Sequence, residues 1–225
     1  NKPGWSTLKD RDIHSAIRIL RREVPKWDTP IVTLMAETYE SPFRVLISCI
    51  LSLRTQDATT AKASHRLFAV ADTPQAMLQL TAKKIERLIY PVGFYKTKAK
   101  NILEICRTLV DQYDGKVPDS IDELLQLKGV GRKTANLVVT LGYQKPGICV
   151  DTHVHRISNR WGYIATKTPE KSEFALRGKL PKKYWIEYND LLVSFGQHLC
   201  RPISPVCSQC PIKTYCRRIG VTVRR

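Results

Sequence analysis

The sequence predicts an all-α protein of roughly ten short helices joined by tight turns. Three observations carry this. Apolar residues recur at the three-and-four spacing of a single helix face along almost the whole chain. Helix-start signals, a Thr or Ser followed by Pro or by Glu three places on, come at short intervals. Only Ile148 to Val150 has β character, and three residues make no sheet.

Taken in order, Ile13, Ala16, Ile17 and Leu20 mark the buried face of a first helix. Pro42 opens Phe43 to Leu53, apolar nearly all round, which predicts a helix buried on every side. Thr73 before Pro74, and Thr81, are helix starts with Thr as N-cap. Ile102, Ile105, Leu109 and Val110 form the stripe of a helix that ends near Tyr113, before Asp114-Gly115. Ser120 and Glu123 have the spacing of a capping box, with Leu124, Leu125 and Leu127 on the buried side. A helix through Lys133 to Leu141 follows, with Gly142 placed to cap its end. Val154, Ile157 and Trp161 define another, with Asp151 as its N-cap. No internal repeat or low-complexity linker interrupts these elements.

Charge narrows the partner. Thirty-seven Lys+Arg against 20 Asp+Glu give a formal +17 over 225 residues. Such an excess points to a polyanion, because each phosphate neutralised releases counterions. The segment from Arg217 to Arg225 carries four Arg and no acid. The most apolar run, Val45 to Leu53, is too short for a bilayer span of about 20 residues. Seven cysteines without a secretion signal fit a reducing compartment. The expectation is a cytoplasmic protein in contact with DNA. Because the chain starts without Met, a removed leader to nucleus or mitochondrion stays open.

Three segments carry chemistry. In Leu127-Lys128-Gly129-Val130-Gly131 two glycines flank a small apolar residue, which predicts a tight hairpin with φ > 0. Its amides then point out of the following helix N-terminus, where phosphate binds. Arg132 and Lys133 sit in the first turn of that helix, where a cation opposes the dipole. Such a place suits a lysine that has to be neutral to attack a sugar carbon, and equally one that contacts phosphate. Asp151, eighteen residues on, is either a structural N-cap or an ionised carboxylate facing an oxocarbenium-like sugar; one residue can do both.

The third segment is Cys200-x6-Cys207-x2-Cys210-x5-Cys216. Four thiolates in one loop need a metal. A four-cysteine zinc site usually comes as two separated CxxC knuckles, and one CxxC with longer arms suits a [4Fe–4S] cube better; spacing alone leaves zinc open. Cys49, Cys106 and Cys149 read as buried free thiols.

Together, LKGVGRKTANLV, VDTHVHR and the four-cysteine spacing resemble the endonuclease III family, as do PF-x-x-L-I from Pro42 and GFYKTKAKNI from Gly93. The resemblance covers nearly the whole chain. It implies a two-domain helix-hairpin-helix DNA glycosylase fold, with residues 35–145 as a six-helix domain and residues 1–34 with 146–225 as an iron–sulfur cluster domain. It implies a DNA-filled cleft between them. Lys133 would be the nucleophile that forms a Schiff base, and Asp151 would activate it. Gly129, Val130, Gly131 and Arg132 would hold the DNA backbone, and Cys200, Cys207, Cys210 and Cys216 a [4Fe–4S] cluster. Ser52, Asp57 and His153 resemble positions lining the family's base pocket, and Phe94 is set with the DNA-binding residues on the same ground. The activity implied is removal of oxidised or ring-saturated pyrimidines by a monomer, then a nick 3′ to the abasic site.

One departure stands out. The family commonly has Gln at the place of Arg54, where it fills the hole left by the flipped nucleotide. Arg54 can do the same with a guanidinium that reads guanine, or Gln56 can take over. Two rival readings remain at this stage. A monofunctional mismatch glycosylase lacks lysine at the place of Lys133, and a non-catalytic DNA-binding module would use Lys133 for phosphate alone.

Overall fold

The computed structural model describes residues 8–27 and 41–225. Among these every regular element is helical and no strand occurs. Ile148 to Val150 is buried but forms no strand. No described helix is long and apolar enough to cross a membrane.

The chain divides into two compact units, one of Asn1–Thr29 with Ile148–Arg225, the other of Pro30–Gly147. The domain boundary expected between residues 34 and 35 lies outside the described residues.

In the second unit a buried helix, α2 (Pro42–Ser52), is the centre. Ser41 caps it by accepting from the Arg44 amide at 3.5 Å, and Pro42 takes the first turn, where its missing N–H costs nothing. Phe43 and every residue from Val45 to Leu51 is buried, so this helix has no solvent face. Each fully buried Leu or Ile contributes about 1.5–3 kcal/mol. Around α2 pack α3 (Asp57–Phe68) and the long α6 (Tyr95–Tyr113). Between them, α4 (Pro74–Leu78) and α5 (Ala82–Ile89) start on Thr73 and Thr81, whose hydroxyls accept from the Ala76 and Lys84 amides at 3.2 Å each. α6 ends at Tyr113 because Asp114 and Gly115 both take positive φ. Ile102, Ile105 and Leu109 of its stripe are buried and Val110 is half-buried.

Three expectations here are corrected. The Ser120–Glu123 pair forms half a capping box: the Ser120 hydroxyl accepts from the Glu123 amide at 3.4 Å but donates to the Glu123 carboxylate at 2.5 Å. The helix it starts, α7 (Ile121–Leu124), is a single turn. The next, α8 (Arg132–Leu137), then widens into a π turn over Val138–Gly142. The Thr140 hydroxyl donates to the carbonyls of Asn136 and Leu137 at 2.8 and 3.2 Å, competing for the helix's own acceptors. Gly142 ends this turn without being its left-handed cap. Its missing side chain lets the turn lie against α2, since a Cβ there would sit 3.1 Å from the Pro42 Cα.

In the first unit α1 (Asp10–Glu23) buries Ile13, Ala16, Ile17 and Leu20, the four residues of the expected face. They pack in one core with Val154, Ile157 and Trp161 of α9 (Thr152–Trp161) and Tyr188, Leu192 and Phe195 of α11 (Trp185–His198). α10 (Pro169–Lys179), capped by Thr168, flanks α9. Residues from both ends of the sequence thus share one core.

Candidate functional site

The hairpin between α7 and α8 is a four-residue turn closed by the Val130 amide donating to the Leu127 carbonyl at 3.1 Å. Gly129, third in the turn, has φ +73, the position where such turns need glycine. Gly131 departs from the expectation of positive φ: at φ −100, ψ 176 it is extended and acts as N-cap of α8. It brings no side chain, so the cap residue itself places no side-chain oxygen on the amides of the first turn. Val130 buries its side chain and has its amide in the turn bond, so it shapes the hairpin from within. Gly129, Gly131 and Lys133 are exposed and Arg132 half-buried. Lys133 lies within electrostatic reach of Cys49 of α2. Burial pushes this thiol up to about 12, and the Lys133 charge pulls against that.

A second exposed feature joins two loops of the same unit. Arg54, just past α2, and Phe94, just before α6, are 40 positions apart, and both have left-handed backbone at φ 53 and 57. The Arg54 guanidinium lies over the Phe94 ring at 5.7 Å, and the ring is 63% exposed. Gly93 makes the approach possible, for a Cβ there would be 2.6 Å from the Arg54 carbonyl oxygen. Its amide donates to the Thr55 hydroxyl at 3.1 Å. Ser52 is half-buried and donates to the Cys49 carbonyl at 2.8 Å. Gln56 and Asp57 are exposed at the start of α3.

Asp151 and His153 stand in the other unit, at the start of α9. The Asp151 carboxylate accepts from the Val154 amide at 2.8 Å, an N-cap contact typically contributing about 1 kcal/mol. Arg156, one turn on, donates to His153 Nδ1 at 3.0 Å and to the Cys200 carbonyl at 2.9 Å. Burial lowers the Arg156 pKa, and the charges of Cys200 and Asp151 oppose that. Gly196 of α11 carries the close contact, since a Cβ there would lie 2.3 Å from His153 Nδ1. Neither Gly196 nor Arg156 stood out in the sequence, because each acts through a neighbour distant along the chain.

The four C-terminal cysteines line one cavity together with Arg160, Trp161, Phe195 and Leu199. All seven cysteines are unbridged; Cys49, Cys106 and Cys149 are buried, as expected of free thiols. Arg160, 8% exposed, organises the loop: it donates to the carbonyls of Arg201 and Pro202 at 2.6 Å each and to the Cys200 sulfur at 3.6 Å. The Arg218 amide donates to the Cys216 sulfur at 3.4 Å. Burial pushes Cys210 up to about 12 and Cys216 up to about 11, and a cation in the cavity would favour their thiolate forms. N–H donors aimed at the sulfurs are in place for that anionic form. Among the described residues no three metal-ligating side chains converge on a point where a single ion would sit.

A hairpin of this build, set beside an extended family match, decides the lineage. Residues 47–182 match the HhH-GPD superfamily base excision DNA repair protein family. The endonuclease III of Thermotoga maritima is 51% identical over 175 residues, 78% of this chain and 82% of its own length. The chain belongs to the endonuclease III family. Among solved members, a non-covalent endonuclease III–DNA complex is similar at a TM-score of 0.83 and 34% identity, covering 94% of this chain and 96% of that one. A trapped endonuclease III–DNA covalent intermediate is similar at the same TM-score and identity, with coverages of 94% and 97%. The all-helical architecture is therefore that of an endonuclease III.

Proposed function

We propose that Lys133 and Asp151 carry the chemistry of this endonuclease III, a DNA glycosylase and AP lyase that removes oxidised pyrimidines. The observation that supports Lys133 is its place: an exposed amine in the first turn of α8, directly after a glycine turn that presents backbone to phosphate. A relative trapped in covalent linkage to DNA supports an attacking side chain. The Lys133 amine bonds to the sugar C1′ as the C1′–base bond breaks, and the base leaves with the bonding electrons and takes up a proton. The ring then opens to an imine on Lys133. That imine makes the C2′ proton acidic, and its loss expels the 3′ phosphate by β-elimination. Water finally hydrolyses the imine and frees the amine. The Asp151 carboxylate, held by the Val154 amide, stabilises the positive charge that develops on the sugar and takes the amine proton. Trapping the wild-type protein on an abasic duplex with borohydride tests the imine; a panel of single-lesion duplexes tests the substrate. No trapped adduct would exclude this lysine chemistry.

The target nucleotide has to leave the stack to expose C1′. Arg54 and Phe94 form the exposed pair that enters the duplex in its place, with Gln56 beside them, while Ser52 and Asp57 contact the displaced base. Gly129, Gly131 and Arg132 offer amides and a guanidinium to the backbone, with Val130 holding the turn. This predicts that Gly131→Val weakens binding to damaged and undamaged duplexes alike, because backbone contacts carry no sequence information. A Cβ at Gly131 meets nothing within 4 Å, so the protein itself has room for the change. Titrations against salt with both duplexes check it: affinity should fall steeply with salt for each, and a loss confined to lesion DNA would contradict the reading.

Cys200, Cys207, Cys210 and Cys216 hold a [4Fe–4S] cluster. Support comes from four sulfurs that line one cavity, from a single CxxC with longer arms, and from N–H groups aimed at two of the sulfurs. When bound, the cluster supplies folding free energy to a basic loop with few apolar residues of its own. Base removal and β-elimination involve no net electron transfer, so Lys133 and Asp151 need nothing further from it. Pure protein should be yellow-brown and contain iron and sulfide. Cys207→Ala should lose the colour and weaken DNA binding; one zinc and no iron in anaerobically prepared protein would sink the assignment.

A further inference from the structure

Lys98 of α6 is 6% exposed, and its amine reaches no carboxylate in any of its three hydrogen bonds. It donates to the Leu51 carbonyl at 2.9 Å, the Leu53 carbonyl at 2.6 Å and the Thr55 hydroxyl at 3.3 Å. An ammonium has three N–H donors, and these three acceptors take all of them. Leu51 lies in the last turn of α2, Leu53 is its C-cap, and Thr55 follows in the loop. The amine therefore ties the end of a buried helix to the turn that leaves it. Burying a cation in this way is costly. Burial draws its pKa down to about 8. A methionine of similar length would fill the same space without that cost, so the contribution of Lys98 lies in what it orders.

What it orders is Arg54, the residue between two of its acceptors. Left-handed backbone costs an L-residue about 1–2 kcal/mol, and persists where surrounding contacts impose it. Thr55 passes the constraint on, because its hydroxyl also accepts from the Gly93 amide, next to left-handed Phe94. The two loops are thus latched through one hydroxyl, and their exposed tips, Arg54 and Phe94, lie guanidinium over ring.

We propose that Lys98 is a positioning residue for base excision: its ammonium locks the Leu53–Thr55 turn so that Arg54 and Phe94 meet the duplex as a preformed pair. This rests on the reading of Arg54 and Phe94 as DNA contacts. The latch lowers the ordering cost of the pair at the moment of binding, which otherwise subtracts from affinity.

The test is a cycle read as kcat/KM on a duplex carrying one thymine glycol, with melting temperature measured alongside. Lys98→Met should lower kcat/KM about tenfold and Thr55→Val about threefold in the natural background, as coupled contacts of this kind do. In the Arg54→Ala/Phe94→Ala background, itself expected at least about tenfold down, either substitution should cost less than about twofold more. A role confined to stability would lower the melting temperature and carry its full penalty into that background, and this result would overturn the proposal. So would natural activity in both Lys98→Met and Thr55→Val. If Lys98→Met fails to fold, Thr55→Val, which keeps shape and volume, decides alone. An Arg54→Ala/Phe94→Ala protein with undiminished kcat/KM would instead overturn the reading of that pair, and this inference with it.

Discussion

The Lys133→Gln protein should form no borohydride-trapped adduct and leave no nick at an abasic site, while still folding and still binding duplex DNA. Glutamine keeps most of the length and can still donate to phosphate, but its amide cannot form an imine. Lys133 is exposed at the start of α8, so the change lies within the small range typical of surface substitutions, about 0.5 kcal/mol. The expected loss is therefore one of chemistry with affinity retained. A reading of Lys133 as a phosphate contact predicts the reverse, weaker binding at all duplexes with strand cleavage persisting once bound. Single-turnover cleavage at saturating enzyme separates the two. Cleavage of thymine-glycol DNA at near the natural rate would show that another group is the nucleophile.

Asp151→Asn should slow base release by at least about a hundredfold, the usual consequence of removing a preorganised charge from beside the reacting centre. Stability should hardly move. The Val154 amide now bonds to a carboxylate oxygen at 2.8 Å, and asparagine offers a carbonyl oxygen in the same place, being an equally good N-cap. Asp151→Ala should lose both, about 1 kcal/mol of stability along with the rate. The asparagine variant is thus the informative one. A lowered melting temperature with ordinary base release would mean that Asp151 is only a cap.

The surface hairpin, the caps and the single-helix faces could be read from the sequence because their causes are local. Thr73, Thr81 and Asp151 bond to amides three residues away, and Ile13, Ala16, Ile17 and Leu20 share a face by spacing alone. Gly129 needs positive φ for a turn that only four residues define. The departures are of two kinds: competing local bonds, at Ser120 and Thr140, and a partner far along the chain, at Gly142. Gly142 resembled a cap, yet its missing side chain makes room for Pro42, a hundred positions earlier. The helix through Lys133 was expected to stay regular, but the Thr140 hydroxyl and the packing of its last turn on α2 widen it.

What the sequence by itself determined is the lineage and the chemistry it implies, an all-α endonuclease III, since hairpin, aspartate segment and cysteine spacing are continuous strings whose meaning survives without coordinates. What only the tertiary structure decided is the support behind those strings. Lys98 was one of 37 basic residues until its three donors were seen to close on the α2 terminus. Arg160, which no sequence motif singles out, is buried with its guanidinium on the carbonyls of the cysteine loop. Arg54 and Phe94 became a pair only when two left-handed turns brought them together across Gly93. The physical reason is one of range. Caps, turns and helix faces are fixed by bonds between near neighbours, whereas a buried cation or a missing Cβ has meaning only against the surface that folding brings to it.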